Sequence, residues 1–171
     1  MSADYYIYVK DLDRVSVPGF ESYCLSQGLT VRIDPEESFW DRNDFVSVEI
    51  LSIKAAGEAS FPLSSGFELY CFPYEHKKEA TQKRPGLFQK LLGKKVPEET
   101  PFSLAVKDMA LCISLGCHSA EPYSITLAYA LGAYILKTCG GVFDDPQTGQ
   151  FYDGYHLLET EIAASMEGDP L

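Results

Sequence analysis

The chain has 171 residues, 46% hydrophobic and 23% charged, which is the composition of one globular domain long enough to bury a core. That excludes fibres, tandem arrays, disulfide-stapled miniproteins and a chain disordered throughout. With 14 Lys and Arg against 25 Asp and Glu the formal charge is −11, which argues against a nucleic-acid binder, because phosphate neutralisation needs clustered basic side chains.

In chain order, the aromatic and β-branched run Tyr5 to Val9 predicts a first strand. Phe20 to Gln27, followed by Gly28, predicts a helix with a glycine stop, and Leu29 to Ile33 a strand ending at Asp34-Pro35. Phe45 to Ile53 alternates apolar and polar, as a half-buried strand does. Gly66 to Tyr74 predicts its antiparallel partner, with Phe67, Leu69 and Cys71 on one face and Glu68, Tyr70 and Phe72 on the other. Residues 75–95 carry 7 basic and 2 acidic side chains, whereas residues 1–74 carry 5 and 12, and residues 96–171 carry 2 and 11. This basic stretch, with Pro85, Gly86 and Gly93, predicts an exposed loop or insertion with a short helix at Leu87–Leu92. A basic loop on an acidic body can dock onto that body or onto a second copy, which leaves a homodimer open.

Met109 to Leu115 predicts a further strand, and the strongest signal follows: a helix over Ala120 to Cys139 with Ser119 as N-cap and Gly140-Gly141 as stop. Its apolar residues surround most of the circumference, so it is expected to lie across a sheet, mostly buried. The apolar run Tyr123 to Leu136 is 14 residues long and contains Ser124 and Thr126, short of the roughly 20 that span a bilayer. Val142-Phe143, the turn 144–149 and Gln150 to Tyr152 predict a small hairpin, and residues 157–166 a terminal helix before a loose end. Strands flanked by helices, without strict alternation, indicate an α+β single domain over 1–171: a mainly antiparallel sheet packed against a long C-terminal helix.

The candidate chemistry is sparse. Five cysteines at 24, 71, 112, 117 and 139 form no regular framework and fit thiols in a reducing compartment. The start, Met-Ser-Ala-Asp-Tyr-Tyr, has no basic or apolar signal region, which together with the thiols predicts a cytoplasmic protein. Cys112, Cys117 and His118 have no second ligand pair for zinc, and adjacent strand residues 117 and 118 point to opposite faces, against a nucleophile pair. Asp144, Asp145 and Asp153 miss the spacing of a calcium loop and read as turn chemistry. No catalytic residue, metal site or cofactor is therefore assigned. Asp34, Glu36, Glu37, Asp41 and Asp44 ring Phe39 and Trp40, and an aromatic anchor inside a charged rim is how protein hot spots are built.

The run Leu-Ala-Tyr-Ala-Leu-Gly-Ala-Tyr-Ile-Leu-Lys-Thr-Cys-Gly-Gly-Val-Phe-Asp-Asp-Pro-Gln-Thr-Gly, residues 127–149, resembles the helix, Gly-Gly-Val turn and Asp-Pro-x-x-Gly hairpin near the ends of small bacterial immunity proteins of polymorphic-toxin systems. It covers 23 of the 171 residues. The resemblance implies a role in bacterial competition, binding and blocking a cognate toxin without catalysis. An acidic inhibitor suits a basic toxin, since opposite charge steers association. The expected partner surface is Asp34, Glu36, Glu37, Phe39, Trp40, Asp41 and Asp44, with Asp144 and Asp145 as further acids. The alternatives are a small enzyme with a site near His118 and a secretion-system adaptor or structural subunit. Replacing Trp40 and the neighbouring acids with Ala should weaken partner binding by about 2 kcal/mol or more, read by titration calorimetry; unchanged affinity removes this patch.

Overall fold

The computed structural model describes residues 2–33, 44–54, 62–75, 100–118 and 120–168. Strand β1 (Ser2–Val9) follows from alternation: Tyr5, Ile7 and Val9 are buried, while Asp4 is exposed and Tyr6 and Tyr8 half-buried. Helix α1 (Val17–Ser26) starts at Ser16, whose Oγ accepts the Gly19 N–H at 3.2 Å, and buries Phe20, Tyr23 and Cys24. It ends at Gln27, after which Gly28 takes φ +87°, a left-handed turn that leads into β2 (Leu29–Arg32).

Strands β3 (Asp44–Ile53) and β4 (Leu63–Pro73) pair antiparallel, with Val46, Val48, Ile50, Phe67 and Leu69 facing inward. The expected faces of β4 hold: Phe67 and Leu69 are buried, whereas Tyr70 and Phe72 are exposed. A short helix absent from the sequence-based expectations, α2 (Pro101–Val106), is capped by Thr100, whose Oγ1 accepts the Ser103 N–H at 3.1 Å. Strand β5 occupies Leu111–His118, later than the expected 109–115, because Met109 N–H bonds to Val106 O in the exit turn of α2 and residues 117–118 still pair with β1.

Helix α3 (Ser124–Cys139) begins four residues after its expected start at Ala120. Residues 120–123 instead turn the chain off β5: Glu121 N–H bonds to His118 O, Ser124 N–H bonds to Glu121 O, and Tyr123 takes a left-handed φ of 60°. The proposed cap Ser119 lies outside the described residues. The stop is as expected, with Gly140 and Gly141 at φ +72° and +128°. Strands β6 (Val142–Asp145) and β7 (Gln150–Tyr152) form the expected hairpin, and α4 (Tyr155–Gly168) closes the described chain.

The strands make one seven-stranded sheet in the order β2-β3-β4-β5-β1-β6-β7, with every described pair antiparallel. Helix α3 lies across β4, β5, β1 and β6, with α1 and α4 beside it, so the fold is α+β with the core between sheet and helices. Leu127, Leu131 and Ile135, spaced by four, are all fully buried and put one continuous apolar ridge into that core. No described helix is long and apolar enough to cross a membrane.

Gly132 shows how closely α3 sits on the sheet. A Cβ there would lie 2.3 Å from Cδ2 of Phe143, whose ring is itself fully buried and cannot swing away. Gly132→Ala should therefore destabilise the fold by about 1–3 kcal/mol, seen as a lower melting midpoint, while Gly154→Ala, where a Cβ meets nothing within 4 Å, leaves the midpoint nearly unchanged.

Candidate functional site

Each strand sends alternate side chains away from α3, and the register decides which of them become neighbours on that far face. One row runs Asp144, Tyr6, Ser114 and Tyr70 across β6, β1, β5 and β4. The next runs Asp4, Gly116, Glu68 and Phe45 across β1, β5, β4 and β3. A third pairs Val142, Tyr8, Cys112 and Phe72. Strands β1, β4, β5 and β6 contain no Lys or Arg, so every charge these rows place on the far face is acidic.

The two ends of this face differ. Over the third row lies α2: Phe102 meets Tyr8 edge-on with ring centroids 5.5 Å apart and Phe151 at 5.6 Å, and Tyr74 meets Tyr8 at 4.9 Å. Val106, Cys112 and Val142 are buried there, forming a small second core apart from the main one. Over the first two rows no described element packs. Tyr70 is 40% exposed there, and the side chains of Glu68 and His118 are 41% and 45% exposed; Phe72, at the β4 end of the third row, is exposed as well.

At the end of β5, just past the second row, His118 Nε2 stands 3.4 Å from Glu68 Oε1. Gly116 beside them is buried, because Glu68 lies over it: a Cβ built on the glycine would have Glu68 Oε2 at 3.2 Å, Glu68 Cβ at 3.3 Å and Asp4 Oδ1 at 3.8 Å. Asp144 sits beside Tyr6, and partial burial, with the Asp145 carboxylate next to it, pushes its pKa above the ordinary carboxylate value.

Of the acids singled out from sequence, Asp44 is exposed at the start of β3, where its Oδ1 accepts the Phe45 N–H at 2.8 Å. Asp34, Glu36, Glu37, Phe39, Trp40 and Asp41 lie outside the described residues, as do residues 76–99, which include the basic run and the expected helix at 87–92. Asp145 needs a correction. It is fully buried, accepting the Tyr129 hydroxyl at 2.9 Å and the N–H groups of Gln147 and Thr148 at 2.9 and 3.3 Å. An odd position in the β6 register turns it towards α3, so its carboxylate builds the hairpin and offers nothing to a partner. Asp4, Glu68 and Tyr70 were not singled out as binding residues; alternation placed Glu68 and Tyr70 on one face, but nothing in the sequence joins them to Asp4.

Cys117 and His118 do point to opposite faces: Cys117 Sγ bonds to Ser124 O at 3.4 Å on the α3 side, while His118 lies on the far face. Ser114 shares the face of His118 but stands four residues along the strand, about 13 Å away and beyond proton-transfer reach. Among the described residues, no group of three or more His, Cys, Asp or Glu could hold a metal ion. An open cleft of about 520 Å³ is lined by Lys10, Asp11, Asp13, Val15, Cys71 and Leu111 and pairs no nucleophile with a histidine base.

Burial pushes the Cys112 and Cys117 thiols up to about 12 and raises Cys24 further still. All three are therefore neutral thiols at physiological pH, poor nucleophiles. Their burial favours the protonated form, so this stabilisation is complete below the ordinary value of 9.0 and is lost as pH rises from there towards about 12. At about pH 8 an aromatic disulfide reagent should modify Cys24, Cys112 and Cys117 only on the timescale of unfolding. Prompt reaction of any of these three in the folded protein would return a reactive thiol to consideration.

Comparison with protein-family models, with curated proteins and with solved structures finds no match to this chain.

Proposed function

We propose that this protein is a non-catalytic inhibitor of the immunity type, a cytoplasmic binding protein that neutralises a cognate basic toxin. The observation that carries this reading is the distribution of charge. A chain of net charge −11 puts Asp4, Glu68 and Asp144 beside Tyr6 and Tyr70 on the part of the far face that no described element covers. Aromatic side chains supply contact area at small entropic cost, and carboxylates around them draw in a basic partner and set its orientation. The resemblance of residues 127–149 to immunity proteins points the same way, although those residues build the core and the β6–β7 hairpin rather than the exposed surface.

A catalytic reading has one observation in its favour, the His118–Glu68 pair at 3.4 Å. A carboxylate that orients a histidine is half of a general-base arrangement. Neither Ser114 nor Cys117 supplies the other half, a nucleophile beside the imidazole: Ser114 is too far and Cys117 faces the core.

The experiment is affinity capture from the native cytosol at low and moderate salt, followed by expression of each retained protein with and without this chain. The expected result is one stoichiometric basic partner, released as salt rises, that is toxic alone and harmless when co-expressed. A partner that is harmless alone, or a toxic one not relieved by co-expression, overturns the inhibitor reading.

A further inference from the structure

We draw no further inference here: the strongest candidate, the surface patch of exposed Phe45, Tyr70 and Phe72 on the far face of β3 and β4 beside Asp4 and Glu68, carries nothing, because nothing in the structure shows what covers it.

Discussion

A helix that is apolar around most of its circumference must be covered on two sides, and α3 imposes that requirement on the rest of the molecule. Twelve of its sixteen residues are buried, from Ser124 to Leu136. One sheet covers only one side. The other is covered by α1 and α4, whose contacts converge on the same helix: Phe20 and Tyr23 pack on Tyr134, Ser16 N–H donates to the Tyr134 hydroxyl at 3.2 Å, and Leu158 and Ile162 enter the core from α4. Both long flanking helices are thereby committed to one face of the sheet. Among the described elements, only α2 lies on the far face, at one end.

The same helix fixes the hairpin that follows it. Tyr129 reaches from α3 to Asp145, and burial keeps its hydroxyl protonated well beyond the usual range, so it donates to a carboxylate that also accepts the N–H groups of the turn. Helix, turn and β6 are one hydrogen-bonded unit, and the position of β6 beside β1 follows from it. That pairing carries Asp144 onto the far face next to Tyr6 while Asp145 goes to the core. Two adjacent aspartates of the same turn have opposite roles because strand side chains alternate.

That alternation explains what was legible in the sequence. The β3 and β4 faces, the burial of α3 and the 142–152 hairpin all come from local periodicity and turn residues, which act over a few positions. The start of α3 was misplaced because Ser119 and Pro122 imitate an N-terminus, while Tyr123 at φ 60° could not be read from a non-glycine residue. Helix α2 was passed over because six residues show less than two turns of periodicity, although Thr100-Pro101 carried a cap signal. The candidate site was hidden for a different reason. Asp4, Gly116 and Glu68 are adjacent only through two strand pairings, and register between distant segments leaves no trace in a single sequence.

The two halves of the far face differ in what the register sets side by side. Where α2 covers it, Val142 and Cys112 are buried and Tyr8 half-buried, while Phe72 at the end of the same row stays exposed. One pleat repeat away the rows change to Asp144, Tyr6, Ser114, Tyr70 and to Asp4, Gly116, Glu68, Phe45. A purely solvated face would gain from Lys or Thr opposite the acids, since opposite charges or β-branched pairs across strands each contribute about 0.2–1 kcal/mol. Here the residue between the two carboxylates is glycine, which gives up that contribution and weakens a central strand as well. What the glycine gives in return is room: Glu68 lies over it, with Oε2 and Cβ 3.2 and 3.3 Å from where a Cβ would stand, while Oε1 meets His118 Nε2 at 3.4 Å.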